Sequence, residues 1–259
     1  MDDYSDGEEA GGGVDKAVRA ELDVQRFDRD YFLPNKPVHI TDLAFEWPAL
    51  KKWSPEYFAS EFRYKLTSVN FNEQGVFDAN ETAITGPVTR MRLPFSEAVS
   101  RITARRGGRY YMQQSELSGF GGLAADVRLP YLLDEPKELV ATNLWFGGKG
   151  CKSPLHYDLG DNFLVQVFGG KRILLISPDS STSVYPAIGQ NLPHCSLVNV
   201  FDPDFRMYPE YERAHRRATP VELGPGEGLF IPHRWWHAVE STEVSASVNF
   251  WWTGSTLPT

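Results

Sequence analysis

The feature that most constrains the fold is a series of short, β-type segments in the second half of the chain with no helix between them. A parallel sheet needs long, usually helical, connections between its strands, and none is visible in residues 139–177 or 219–253. These segments therefore predict an antiparallel sandwich or barrel, an architecture that includes jelly rolls and cupins. They are LVATNLWFG, NFLVQVFG, KRILLISP, TPVEL, GLFIP, WHAVES and VSASVNFWW.

The first part of the chain mixes helix and strand signals. PVHIT and the alternating KLTSVNFN predict strands. WSPEYFASEF predicts a helix with Ser54 as N-cap and Pro55 as its first residue. LPFSEAVSRITARRGG predicts a second helix that is capped by Ser96 and ends at Gly107 and Gly108. This part is expected to pack around the β-rich half as flanking α/β structure.

Composition limits the classes of function. The net charge of −8 argues against unaided nucleic-acid binding, and no apolar run approaches the ~18 residues of a membrane helix. The acidic, glycine-rich residues 1–13 predict a disordered tail and not a signal peptide. Two cysteines give no disulfide framework, so a cytoplasmic location is expected.

The stretch SPLHYDLGDN places His156 and Asp158 two residues apart. On a strand, such side chains point to the same face, and two imidazoles with one carboxylate are typical of non-haem Fe(II) sites. His237 is the best candidate for the third ligand, since strands 161–168 and 236–240 can be neighbours in a sandwich. An ordinary polar pair in a loop is the alternative, and a zinc site at LPHC, with His194 and Cys195, lacks partners at zinc spacing.

Three other polar residues lie in strongly apolar segments. Lys171 opens KRILLISP after a Gly-Gly turn, which would aim it into the same cavity as His156. A buried, unpaired lysine is costly, so it either waits for a ligand carboxylate or extends its amine to water. Asn162 and Asn249 need hydrogen-bond partners if they are buried, and bonds to the backbone would satisfy them equally well.

Taken together, HYDLGDNFLVQVFGGKRILLISP, GPGEGLFIPHRWWHAVES and SVNFWW resemble the Jumonji-C branch of the 2-oxoglutarate/Fe(II) oxygenases. The likeness is strongest to the small hydroxylases that include the asparaginyl hydroxylase acting on hypoxia-inducible factor, and it covers about residues 109–253. It implies a mainly β protein with flanking helices and a double-stranded β-helix core of the jelly-roll, cupin-like type. We expect one domain over residues 14–259, with that core at about 109–253 and a mixed α/β part at 14–108.

The resemblance also implies roles for individual residues. His156, Asp158 and His237 would hold Fe(II), and Lys171 would pair with the distal carboxylate of 2-oxoglutarate. The resemblance further assigns Ser153 and Tyr111 to that carboxylate, Asn162 and Asn249 to the other end of the cosubstrate, and Gln113 and Trp251 to the substrate channel. Trp145, Trp236 and Trp251 could shield the reaction, although at least one is expected to be plain core packing.

By resemblance, the expected reaction consumes O2 and 2-oxoglutarate, releases succinate and CO2, and hydroxylates a C–H bond on a protein or peptide side chain. Demethylation is less favoured, since the family's histone demethylases more often have Glu in place of Asp158. A small-molecule substrate, tRNA bound through the basic run RITARRGGR, and a non-enzymatic cupin-like metal-binding module are the alternatives. Only six residues follow Thr253, so the C-terminal helices through which the asparaginyl hydroxylase dimerises are not expected here, and the oligomeric state is open.

Overall fold

The structure is a computed structural model and describes residues 13–77, 86–133, 138–190 and 192–253. Apart from Gly13, the predicted disordered tail lies outside these residues. In the described ranges, no helix is both long and apolar enough to span a bilayer.

Fifteen strands and six short α-helices make up the described chain, with single helical turns between them. The strands are β1 (Asp15–Ala17), β2 (Val38–Ile40), β3 (Leu66–Phe71), β4 (Thr89–Pro94), β5 (Tyr110–Glu116), β6 (Glu138–Gly147), β7 (Lys152–His156), β8 (Asp161–Phe168), β9 (Lys171–Ile176), β10 (Pro186–Ala187), β11 (Leu192–Ser196), β12 (Thr219–Leu223), β13 (Gly228–Ile231), β14 (Trp236–Ser241) and β15 (Ser245–Thr253). The helices are α1 (Val24–Phe27), α2 (Ala49–Lys52), α3 (Pro55–Glu61), α4 (Phe95–Thr103), α5 (Gly121–Ala124) and α6 (Tyr211–Arg216). The 3-10 turns are Arg19–Glu21, Gly107–Arg109, Leu117–Gly119, Pro178–Val184 and Ile188–Gln190, and Asp28–Phe32 is a π-helical turn.

The described strands form two sheets that face each other. One has nine strands in the order β1-β2-β13-β8-β15-β6-β5-β3-β4, and the other has six in the order β10-β11-β7-β14-β9-β12. Strands β6, β7, β8 and β9 alternate between the two sheets along the chain, and so do β12, β13, β14 and β15. This double alternation with antiparallel pairing is the topology of a jelly roll. The prediction of a mainly β protein with a double-stranded β-helix core is confirmed.

The hydrophobic core explains why the α/β part stays with the β-helix. One face of the nine-stranded sheet supplies buried aromatic and branched residues, and the N-terminal helices cover that face with rings of their own. The ring of Phe58 in α3 packs 5.3 Å from Phe146 of β6, and that of Phe27 in α1 packs 5.5 Å from Phe163 of β8. Burying rings of this size is strongly stabilising, so the other sheet face is left to line the space between the sheets.

The two predicted helix caps differ in outcome. Ser54 caps α3 as expected, because its Oγ accepts a 3.1 Å hydrogen bond from the Tyr57 N–H. The prediction that Ser96 caps α4 is wrong. The fully buried Phe95 already occupies the first helical position, and the Ser96 hydroxyl instead donates to the Arg63 carbonyl at 3.1 Å.

The expected neighbourhood of strands 161–168 and 236–240 is also wrong. Strand β8 pairs with β13 and β15 in the nine-stranded sheet, whereas β14 pairs with β7 and β9 in the six-stranded sheet. The physical reason is β7, a five-residue strand with Pro154 inside it that the sequence pattern does not show. This strand carries His156 into the six-stranded sheet. The partner of β14, which holds His237, is therefore β7 and not β8.

Candidate functional site

Two histidines meet across a strand pair at one end of the six-stranded sheet. His156 is the last residue of β7, His237 is the second residue of β14, and the antiparallel register sets them directly opposite each other. Directly opposed side chains lie on the same sheet face, and the two ring centroids are 4.3 Å apart. Both imidazoles therefore point to one place between the sheets.

Asp158 completes the cluster although it lies just past the end of β7. Its Oδ2 is 3.8 Å from His237 Nε2, and one potential ligand atom from each of the three residues lies within 4.8 Å of the others. The backbone fixes this position, because the Arg234 N–H donates to the Asp158 carbonyl at 2.8 Å. In the described residues, this is the one cluster of His, Cys, Asp or Glu with the spacing of a metal site.

The hydrogen bonds of the imidazoles suit metal binding. His156 Nδ1 lies 2.8 Å from the Pro154 carbonyl and His237 Nδ1 lies 3.0 Å from the Trp235 carbonyl. A carbonyl can only accept, so each Nδ1 carries a proton, and Nε2 is the ring nitrogen that is left for a metal. Burial is the main cause that lowers the pKa of His237 to about 4, which keeps this ring neutral at neutral pH.

A chain of amides and indoles holds the carboxylate of the cluster. Asp158 Oδ2 accepts hydrogen bonds from Trp251 Nε1 at 3.0 Å and Asn162 Nδ2 at 3.4 Å. The Asn162 Oδ1 in turn accepts from Asn249 Nδ2 at 3.3 Å. Asn249 Oδ1 accepts from Trp145 Nε1 at 2.7 Å and from Asn143 at 3.3 Å. These buried amides therefore orient the carboxylate through side-chain bonds and do not simply satisfy the backbone.

Lys171 brings a buried positive charge into the same pocket. Lys171 is only 2% exposed, and its amine donates a hydrogen bond to the Tyr111 hydroxyl at 3.1 Å. Within the described part of the chain, no carboxylate pairs with it. Burial lowers the pKa of Lys171 to about 8, and burial also raises the pKa of Tyr111, which therefore stays a neutral phenol. An uncompensated cation of this kind fits an anionic ligand.

The structure brings nearly all of the predicted site residues together. Nine of the ten line one pocket: Tyr111, Ser153, His156, Asp158, Asn162, Lys171, His237, Asn249 and Trp251. Gln113 does not, because its side chain is held beside the pocket by Asn70 at 2.7 Å and by the Phe77 carbonyl at 3.3 Å. Apolar walls come from Leu164, Ile231 and Val239, which sequence reasoning missed.

The remaining histidines and tryptophans have other surroundings. His39 is buried and lies 3.1 Å from Glu227, and His215 is exposed. Trp236 points away from the pocket, since adjacent residues on a strand face opposite sides and His237 faces the pocket. The Trp236 indole donates a hydrogen bond to the Ser181 hydroxyl at 2.9 Å. Asn143, two residues before Trp145 on an apolar strand, was missed by sequence reasoning. The argument used for Asn162 and Asn249 could have found it.

The fold is that of a cupin-type protein, and the donor set of His156, Asp158 and His237 is one that could hold a metal ion. The chain belongs to the family of cupin-like domains, whose family model matches residues 24–256. It is similar to Lysine-specific demethylase 8 of Danio rerio, with 34% identity over 88% of this chain and 56% of the relative. It is also similar to Lysine-specific demethylase 8 of Xenopus tropicalis, with 31% identity over 88% of this chain and 51% of that relative.

A plant relative extends the same group. Lysine-specific demethylase JMJ30 of Arabidopsis thaliana is 30% identical over 90% of this chain and 54% of its own length. The chain thus spans about half the length of the curated relatives it matches. These matches confirm the resemblance to the Jumonji-C oxygenases, a class that uses Fe(II), 2-oxoglutarate and O2. The narrower likeness to the asparaginyl hydroxylase stays a prediction.

Proposed function

We propose that the chain is a 2-oxoglutarate- and Fe(II)-dependent oxygenase that hydroxylates a C–H bond on a polypeptide side chain. The observation that carries the proposal is one pocket holding two imidazoles, one carboxylate and a buried lysine without a described anionic partner. Two imidazoles and a carboxylate suit non-haem Fe(II), and the lysine suits a dicarboxylate cosubstrate.

Each part of the pocket has a role in this proposal. His156, Asp158 and His237 hold Fe(II), which with 2-oxoglutarate and O2 supplies the oxidising chemistry and yields succinate, CO2 and a hydroxylated substrate. Lys171 binds the distal carboxylate of 2-oxoglutarate, and it opens β9 four residues from Leu175, the position opposite His237. Four residues of strand span about 13 Å, so the backbone of Lys171 lies about that far along β9 from the position opposite His237.

The remaining predicted contacts complete the cosubstrate site. Ser153 and the neutral Tyr111 phenol hydrogen-bond the same distal carboxylate, while Asn162 and Asn249 lie beside the reacting end. Apolar residues of the pocket wall and the Trp251 ring exclude water, which strengthens each electrostatic contact. The protein therefore contributes binding, orientation and dryness.

The charge of the chain favours a polypeptide substrate over RNA. RNA binding requires a surface rich in cations, whereas the net charge is −8. Leu159 directly follows Asp158 and is 72% exposed, so an apolar side chain is open to a partner next to the cluster. RNA and a small molecule remain alternatives, and a cytoplasmic location stays a prediction.

Demethylation is the second candidate, because the relatives above are named lysine-specific demethylases. Both reactions begin with hydroxylation of a C–H bond. A hydroxylated N-methyl group breaks down and releases formaldehyde, whereas a hydroxylated side-chain carbon remains in the product. Incubation with peptide pools that contain methyl-lysine, followed by formaldehyde detection and a search for products heavier by one oxygen atom, separates the two.

The proposal is tested by loading the anaerobic protein with Fe(II), adding 2-oxoglutarate and recording the visible spectrum. A metal-to-ligand charge-transfer band is expected in the wild type and should be absent in His156→Ala and Asp158→Ala. The control is His215→Ala, an exposed histidine on α6, which should keep the band. A protein that binds zinc tightly but gives no band would contradict the oxygenase function.

A further inference from the structure

A second cavity lies directly behind two of the candidate metal ligands, on the outer face of the six-stranded sheet. Its volume is about 380 Å³, and Tyr157 and Trp236 line it. Tyr157 follows His156 and Trp236 precedes His237, and neighbouring residues in extended chain point to opposite faces. The two rings pack edge to face with centroids 4.9 Å apart. The cavity thus begins one residue away from the ligands.

The walls of this cavity are mostly apolar. Pro178, Pro186 and Pro193 line it together with Ile188, which is 70% exposed. Volumes of this size are typical of ligand pockets. Ser181 also lines the cavity, but its hydroxyl already accepts from Trp236 and donates to the Pro178 carbonyl. Its walls therefore offer contact area and little hydrogen bonding.

One charged side chain, Arg234, lines the cavity among the described residues. Its backbone has a φ of 62°, a left-handed conformation that is rare for a side-chain-bearing residue and is held by the N–H bond to the Asp158 carbonyl. The side chain is exposed, and no carboxylate within the described residues pairs with its guanidinium. A guanidinium beside apolar walls is suited to a bidentate carboxylate.

We propose that this cavity binds an acidic residue of the polypeptide substrate, on the flank of the residue that enters the metal pocket. The inference rests on the proposed function and names the substrate class more narrowly. Arg234 pairs with the carboxylate of that Asp or Glu, and the apolar walls contact the residues beside it.

The test uses two pools of synthetic twelve-residue peptides that are degenerate in uncharged residues and carry either Glu or Gln at position six. Each pool is offered to the anaerobic protein loaded with Fe(II) and 2-oxoglutarate, and the retained peptides are quantified by mass spectrometry. Wild type should retain the Glu pool up to about fivefold better than the Gln pool, since an ion pair with an exposed guanidinium strengthens binding only a few-fold.

Three variants locate the preference. Arg234→Gln should abolish it, and Ile188→Trp should reduce it by filling the cavity from an exposed position. Arg105→Gln, in an exposed arginine beyond the end of α4, should leave the preference intact. Equal retention of the two pools by wild type, or a preference that survives Arg234→Gln, would overturn the inference. So would Arg234-dependent retention of a labelled tRNA pool without any preference for Glu.

Turnover separates this inference from the proposed function. The same pools are incubated in air, and succinate is measured. Succinate release with no preference for the Glu pool would support the oxygenase function and contradict the cavity assignment. An Arg234-dependent Glu preference in binding, with no peptide-stimulated succinate from any pool, supports the cavity assignment and contradicts the proposed reaction.

Discussion

The indole Nε1 of Trp251 donates a 3.0 Å hydrogen bond to Asp158 Oδ2, the oxygen that lies 3.8 Å from His237 Nε2. Trp251 sits on β15 of the nine-stranded sheet, whereas His156 and His237 sit on the six-stranded sheet. The carboxylate is therefore held from one sheet and the imidazoles from the other. The shape of the cluster depends on how the two sheets pack.

Trp251→Phe should weaken metal binding while the protein stays folded. The substitution keeps an aromatic ring but removes the donor that orients Asp158, and loss of such an outer partner typically costs ~10–100-fold in metal affinity. Competition titration of Co(II) or Fe(II) measures the change. The matched control is Trp235→Phe, whose indole donates to the Asn35 carbonyl at 2.8 Å outside the cluster. Equal metal affinity in both variants would refute the orienting role of Trp251.

Lys171→Met should abolish tight 2-oxoglutarate binding. Methionine keeps the length and apolar packing of the side chain, but the cosubstrate carboxylate would be left buried without its cation, a loss of ~3–5 kcal/mol. Calorimetry of 2-oxoglutarate binding checks this. Arg172→Met is the control, since that neighbouring side chain is exposed and pairs with Glu222. An unchanged affinity of Lys171→Met for 2-oxoglutarate would show that Lys171 does not bind the cosubstrate.

The stability of the ligand-free protein should rise between about pH 8 and pH 10.5. Burial lowers the pKa of Lys171 to about 8 from its ordinary 10.5. In that window the unfolded chain binds the proton and the folded chain does not, so unfolding becomes less favourable as pH rises. The shift corresponds to about 3–4 kcal/mol at most. Urea unfolding of wild type and Lys171→Met across this range checks it, and parallel curves would speak against the lowered pKa.

The affinity for 2-oxoglutarate should fall as pH rises above about 8, because the Lys171 amine loses its proton there. Above that pH the amine of the ligand-free protein is neutral, and binding a carboxylate then requires uptake of a proton. Each further pH unit should weaken binding by up to about tenfold, until the pKa of the complex is reached. Titrations at several pH values measure the slope. A flat profile from pH 7 to pH 9.5 would contradict the pairing.

Gly148→Ala should destabilise the fold. A methyl group at this position would overlap the backbone of Gly107 and Gly108, where the turn after β6 crosses the turn before β5. Forcing two backbones apart in a packed region costs ~1–3 kcal/mol. Gly119→Ala is the control, since nothing lies within 4 Å of its added methyl. Thermal unfolding that is the same for both variants would show that this crossing yields easily.

Features set by residues close together in the sequence could be predicted, whereas contacts between distant residues could not. The alternation of KLTSVNFN and the apolar runs before Gly or Pro are local signals, and β3 and the core strands form where they occur. His156 and Asp158 are close in sequence, so their convergence could be predicted too. Strand β7 has no alternating pattern, and its pairing with β14 joins residues about 80 positions apart. No local pattern encodes that partner.

Other features depended on competition between residues. Ser96 has the chemistry of a cap, but the burial of Phe95 sets the start of α4 one residue earlier. Gln113 lies two residues after Tyr111, which lines the pocket. Its side chain does not reach the pocket, because it is hydrogen-bonded to Asn70 and to the Phe77 carbonyl. The outer cavity draws its walls from three separate segments, around Tyr157, Pro186 and Trp236. It exists only once the chain is folded.

The direct opposition of His156 and His237 also makes a bound metal a cross-link in the chain. It would tie together positions 81 residues apart, and a covalent tie across a loop of that size removes about 4.5 kcal/mol of chain entropy from the unfolded state. Such a staple can close only after the C-terminal strands have been synthesised and paired. A metal held there would therefore add its binding energy to the stability of the whole fold, and removing it with a chelator should lower the unfolding temperature.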